Sequence, residues 1–351
     1  MNRSERITLF TETIWDWYAR HKRTLPWRDL RIQDDAQRAY RILVSEVMLQ
    51  QTQVSRVIVI YKRFLRQFPR LADLAAASNR DVILAWRGMG YNSRALRLRD
   101  AAATIMTEHA GHFPEDFEEL LSIKGIGPYT AAAIRNFAFN IPTPCIDTNI
   151  RRILHRTFFG PENTDGTWEK DDTALMEIAE EVLEIAVEPV AGCSLAGCWI
   201  KNQTSNQKLA NQQPSRTSAD WHAALMDFGS LVQTKNNPRW DVCPLTARGI
   251  MKATRKNFRS VETPYQGVSA VARNTEPGRI IGSRFMPNRI IRGRIIEALR
   301  DAKKGLTLEL IGKEVCIDWA QEHKTWLQNL VTKLVQEDFV CARGACYVLK
   351  E

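Results

Sequence analysis

No stretch of these 351 residues approaches the length of a membrane span, and the N-terminus, Met-Asn-Arg-Ser-Glu-Arg, leads into no apolar signal core. A transmembrane or signal-directed chain is therefore not expected. Cysteine is sparse and odd in number, seven in all, which gives no even disulfide framework and points to a reducing compartment. Acid is outnumbered by base, 40 residues against 49, for a net charge of +9. That balance suits a polyanionic partner such as nucleic acid, although many basic proteins bind none. Strand-like alternation is missing from the first two-thirds of the chain, and glycine is scarce within its helical patterns, so an all-α core is expected there.

The helical patterns run over Ile7 to Arg20, then Arg38 to Phe68, ending at Pro69, and continue as short helices to Ser122. A polar, poorly periodic stretch at 190–217 reads as a surface insertion. Cys193 and Cys198 lie in it, but two cysteines alone do not make a metal site. Residues 256–285, rich in Arg, Thr, Asn, Pro and Gly, read as a linker. Beyond it, three helical patterns precede two short strands joined through Arg343-Gly344. The expected domains are 1–255, the linker 256–285, and a small winged-helix-like α+β module over 286–351.

Three pieces carry chemistry. In Val44-Ser-Glu46-Val-Met-Leu-Gln-Gln-Thr-Gln53 a carboxylic acid is surrounded by apolar residues at every helical offset. Most helical glutamates face water, but these flanks place Glu46 inside, where desolvation favours the protonated acid and suits it to proton donation. In Leu121-Ser-Ile-Lys-Gly125-Ile-Gly127-Pro-Tyr129, two glycines allow a tight turn between helices, and the turn offers backbone N–H groups to an anion. A plain helical connection is the competing reading. Finally, Pro142 and Pro144 enforce an extended approach to Asp147, which sits at a helix N-cap. Capping is the usual task of a lone Asp there. It is compatible with catalysis, because a helix end favours the anion. One protonated and one ionised carboxyl is the pairing used to cleave glycosidic bonds through an oxocarbenium-like state.

The order Leu25-Pro-Trp-Arg28, the Glu46 peptide, Gly88-Met-Gly-Tyr91, the Gly125/Gly127 hairpin and Asp147-Thr-Asn149 closely resembles the helix-hairpin-helix DNA glycosylases, and best the adenine DNA glycosylase (MutY-like) family, over about residues 12 to 250. The resemblance implies an all-α helix-hairpin-helix fold of two helical subdomains. It implies that Glu46 protonates a flipped adenine at N7, that Asp147 stabilises the sugar cation, and that Tyr129 and Asn149 line the pocket. Gln51 and Tyr91 would wedge into the base stack, Arg28 would shape the pocket entrance, and Lys124, Gly125 and Gly127 would meet phosphate. The implied partner is double-stranded DNA with a mismatched or damaged pair, bound by a monomer in the cytoplasm, at the nucleoid in a bacterial or archaeal cell. Tyr129 stands where lyase relatives carry a nucleophilic Lys, which implies a monofunctional enzyme.

The chain also departs from the family. The four positions that hold an iron–sulfur cluster in most relatives read Gln233, Trp240, Cys243 and Gly249. One thiolate cannot hold such a cluster, so no metal or cofactor is expected. The C-terminal segment is too short for the nudix-like domain of many relatives, Thr148 replaces a usual Gly, and Asn92 a usual Tyr. Removal of thymine or uracil opposite G, or DNA binding without catalysis, remain as alternatives.

Overall fold

The computed structural model describes residues 1–28, 30–187, 216–258 and 277–351. The expected insertion, with Cys193 and Cys198, and most of the expected linker lie outside the described residues. The chain divides into two compact units. The first takes Met1–Ile42, Glu115–Leu121 and Ile126–Glu262; the second takes Leu43–Pro114, Ser122–Gly125 and Thr263–Glu351.

The helices in order are α1 (Arg3–His21), α2 (Asp35–Leu49), α3 (Val54–Gln67), α4 (Leu71–Ala75), α5 (Asn79–Ala85), α6 (Ser93–Glu108), α7 (Phe117–Ser122) and α8 (Pro128–Ile134). They are followed by α9 (Thr148–Phe158), α10 (Asp172–Ala186), α11 (Ser218–Leu231) and α12 (Pro244–Ala247). The single helix expected over 38–68 is in fact two. Helix α2 ends at Leu49, Gln51 adopts φ +54°, and α3 restarts at Val54. The apolar period runs through the break, which hid it.

In the first unit α1 starts at a capping box, in which Asn2 and Glu5 satisfy each other's backbone N–H groups. Its buried face, with Phe10, Ile14 and Trp15, packs against Ile153 and Phe158 of α9 and Trp221 and Phe228 of α11. The Trp15 and Trp221 rings lie 5.4 Å apart, and Phe10 meets Phe158 edge-on at 5.4 Å. Such aromatic contacts add to the area they bury. A fully buried ion pair, Arg156 with Glu162, ties α9 to the loop that follows it, at 2.9 and 2.6 Å.

In the second unit the C-terminal module begins with a hairpin, β1 (Gly278–Ile281) against β2 (Arg284–Pro287). The segment expected as linker to 285 thus ends in a strand. Helices α13 (Asn288–Asp301), α14 (Leu308–Val315) and α15 (Lys324–Gln336) follow, with an antiparallel sheet ordered β3 (Leu306–Thr307), β5 (Cys346–Leu349), β4 (Val340–Arg343). Strand β3 is only two residues long and carries no readable alternation. The β4–β5 turn falls at Gly344, as expected, with φ +61°. Ile83 of α5 and Leu96 of α6 share one apolar cluster with Ile295, Ile296 and Leu299 of α13. Among the described residues no helix is long and apolar enough to cross a membrane.

Candidate functional site

Helix α2 carries Glu46, which is 5% exposed, between Ser45 and Val47, at 0% and 5%. The burial expected from its apolar flanks is present.

Helix α9 carries the second acid. Asp147 is its N-cap: Oδ1 accepts from the backbone N–H groups of Asn149 and Ile150 at 2.8 and 2.6 Å, and Oδ2 accepts from Asn149 Nδ2 at 2.8 Å. Arg152 stands one turn on. Its Nη2 donates to Asn149 Oδ1 at 2.7 Å and to the carbonyl of Gly229 at 2.8 Å. Asn149 is therefore held from both ends and cannot flip without losing a bond. Burial pushes the Asp147 carboxyl above its ordinary value, against those three hydrogen bonds and the Arg152 charge, all of which favour the anion. The expectation of an easily ionised cap omitted this desolvation. Gly229 of α11 sits so close that a Cβ there would lie 2.7 Å from Asn149 Cβ. The approach to Asp147 is also fixed. Asn136, fully buried, donates to the Thr143 carbonyl at 2.7 Å and accepts from the Thr143 N–H at 3.0 Å. It lies in a π-helical turn, Arg135–Phe139, that continues α8.

Arg28 makes a bidentate pair with Asp227 of α11, at 2.7 and 2.8 Å, and Arg23 joins the same carboxylate at 2.7 Å. The Asp227 side chain is fully buried. Arg28 is thus tied to α11 in the first unit.

Gln51 and Tyr91 both adopt left-handed backbone, φ +54° and +45°, and both are exposed, Tyr91 by 53%. Non-glycine residues in that region store strain, which clusters at functional loops. One side chain joins the two loops. Arg94, 4% exposed, donates through Nη1 to the carbonyls of Val47, at 3.0 Å, Met48, at 3.2 Å, and Gln50. Through Nη2 it reaches Thr52 Oγ1 at 3.2 Å and the carbonyls of Met89 and Gly90, both at 3.3 Å. Its guanidinium lies 5.5 Å from the Tyr91 ring centre. Among the described residues no carboxylate pairs with it. Neither Arg94 nor Arg152 was singled out from sequence, since arginines in helices read as solvated. The spacing of Asn149 and Arg152, one helical turn apart, was the available signal.

In the hairpin, Gly125 has φ +103°, and a Cβ there would lie 3.1 Å from the carbonyl of Arg97. Glycine is required at that position. Gly127 has φ −96° and open space where a Cβ would stand. Lys124 is exposed and Tyr129 half-buried.

The family model described as HhH-GPD superfamily base excision DNA repair protein matches residues 44–183. The adenine DNA glycosylase of Mycolicibacterium smegmatis is 31% identical over 324 residues, 92% of each chain. The chain belongs to the adenine DNA glycosylase family of the HhH-GPD superfamily. The mouse adenine DNA glycosylase is 35% identical over 244 residues, 68% of this chain but only 41% of the mouse protein. The fold is shared with a thermostable thymine-DNA glycosylase, with a TM-score of 0.52 at 22% identity, covering 69% of this chain and 94% of that one.

That membership raises the question of a cluster. Gln233 and Cys243 are buried, Gln233 Nε2 donates to Cys243 Sγ at 3.3 Å, and the Met251 sulfur lies 3.7 Å from both groups. Trp240 packs edge-on against Phe258, and Arg156 donates to Gln233 Oε1 at 3.1 Å. Gly249 is exposed. This donor set, with one thiol at the four positions and a packed side-chain network, does not fit four-thiolate ligation. Among the described residues, no group of three or more His, Cys, Asp or Glu is placed to hold a metal ion.

Proposed function

We propose that this chain hydrolyses the N-glycosidic bond of adenine mispaired with 8-oxoguanine or G in double-stranded DNA, as a monomer, and leaves an abasic site. Similarity to the mycobacterial enzyme along 92% of both chains supports adenine as the base. The burial of Glu46 carries the chemistry, because an acid kept from water in an apolar helix holds a proton to give. Glu46 protonates the flipped base at N7, the base leaves, and positive charge develops on the sugar. Asp147 stabilises that cation and orients the water that adds to C1′, with Asn149 and Arg152 fixing its carboxylate. The cost of burying the Asp147 anion is offset when a cation forms beside it, so the interaction is strongest in the transition state.

Gln51 and Tyr91 fill the stack that the base leaves. Tyr129 lines the pocket, and as a phenol it forms no Schiff base, so strand cleavage is not part of the reaction. Arg28 shapes the pocket entrance through Asp227. Lys124, Gly125 and Gly127 receive a DNA phosphate, for which the open space at Gly127 leaves room. No iron–sulfur cluster is part of the enzyme; the Gln233–Cys243–Met251 packing supports that reading. The C-terminal module is of winged-helix type.

Duplexes containing A:8-oxoG, A:G, T:G or U:G, incubated with the protein and then cleaved at abasic sites with alkali, test the reading. Adenine release is expected, and Glu46→Gln should abolish it while leaving a folded protein. Release of pyrimidine alone, or binding without release, would refute it. Stoichiometric iron in the purified protein would overturn the cluster reading.

A further inference from the structure

The C-terminal module is built onto the loop that carries Tyr91. Arg300, at the end of α13, is 3% exposed, and its Nη2 donates to Asn92 Oδ1 at 2.9 Å. Asn92, itself 7% exposed, directly follows Tyr91. The loop turns through three left-handed residues, Gly88, Gly90 and Tyr91, with φ of +92°, +66° and +45°, and Arg94 and Trp86 Nε1 bind the carbonyls that precede Tyr91. Both of its flanks are gripped by the same module. On one side Arg87 pairs with Asp301 at 2.6 Å, and Asn79 Nδ2 donates to the Asp338 carbonyl at 2.8 Å. On the other, Leu96 of α6 enters the apolar cluster of Ile295 and Leu299. Arg300 pairs through Nη1 with Glu297, one turn back on its own helix. Its Nη2 reaches out of the module to Asn92, and the buried Nε has no partner among the described residues, which makes the outward contact a costly one. A contact made only for cohesion would be met more cheaply by apolar side chains.

We propose that Arg300 is a positioning residue: through Asn92 it holds Tyr91 in the strained, exposed conformation that enters the base stack, so that the C-terminal module governs how the mismatch is opened. The inference rests on the reading of Tyr91 as a wedge. It gives the module a task that needs no contact with DNA.

The test uses the full chain as wild type, Arg300→Ala, Asn92→Ala, Tyr91→Ala and the two doubles with Tyr91→Ala. A 2-aminopurine beside the mismatch reports unstacking on binding, and single-turnover release reports chemistry, with melting temperatures as the folding control. Arg300→Ala and Asn92→Ala are each expected to lower both signals about tenfold and to lower neither further in the Tyr91→Ala background. Wild-type signals in both single variants would overturn the proposal. So would equal losses in the presence and absence of Tyr91, which mark a merely structural contact. Should Arg300→Ala fail to fold, Asn92→Ala, which removes only the acceptor, carries the same arms. Wild-type unstacking of a mismatch without adenine release would refute the proposed activity, while the fluorescence arms still decide the role of Arg300. No unstacking of any duplex by wild type would refute the wedge and this proposal together.

Discussion

Arg156 in the first unit and Arg94 in the second are buried in opposite ways. In the first, Arg156 meets Glu162, as Arg28 meets Asp227, so the charge has a carboxylate. In the second, Arg94 meets carbonyls of two loops and, among the described residues, no acid. An ion pair locks two segments whose positions are already set by packing. A guanidinium with several donors in a fixed plane instead dictates the path of backbone that has no regular structure of its own. The first device suits the rigid frame of the unit that carries Asp147. The second suits loops that present strained residues outward. Ion pairs thus brace the first unit, and Arg94 shapes the loops of Gln51 and Tyr91 in the second.

The largest effect separates these devices. Arg156→Met leaves Glu162 buried and unpaired and is expected to destabilise by about 3–5 kcal/mol in urea unfolding, with the charge part of the loss recovered when Glu162→Met is added, though the carbonyls of Thr234 and Lys235 stay without their donor. Arg94→Met strips the carbonyls of the two loops of their donor and is expected to cost about 3 kcal/mol. No second substitution should recover it, because there is no charge partner to remove. Recovery of Arg94→Met by any nearby acid-to-neutral change would end the contrast. The next effect is local. Gly229→Ala forces a methyl against Asn149 and is expected to cost about 1–3 kcal/mol. It should also slow adenine release more than the stability loss explains, since Asn149 orients Asp147. Unchanged single-turnover release would show that Asn149 has slack.

How far the sequence foretold this follows the same division. Glu46 was legible because six apolar neighbours in one helix leave an acid nowhere to go but inside. Asp147 was legible because Pro142 and Pro144 enforce an extended approach and an Asp before a new apolar period is a cap signal. What stayed hidden depended on long-range contact. The break at Gln50–Gln53 is enforced by Arg94, more than forty residues away in the chain, while the local period reads on as helix. Arg300 and Asn92 are separated by 208 residues, and neither has a local signature. Desolvation of Asp147 was missed for the same reason: the cap is local, but the protein packed around it is not.

The smallest effect has the opposite sign. A carboxyl whose native pKa is raised binds its proton more tightly folded than unfolded. Stability therefore falls as pH rises from the unfolded value through the native one. Above both values the folded protein bears the whole of that cost, and below both it bears none. Asp147→Asn keeps a side-chain oxygen for the N–H groups of Asn149 and Ile150 but sets an amide nitrogen against Asn149 Nδ2, a cost that does not change with pH. The stability difference between variant and wild type should therefore move in the variant's favour as pH is raised from acid to 7, while adenine release is lost. Urea unfolding across that range measures the difference. A difference that moved toward wild type as pH rises would mean that the anion is favoured in the free enzyme, and that the frame around Asp147 was not built to make its charge costly until the sugar cation arrives.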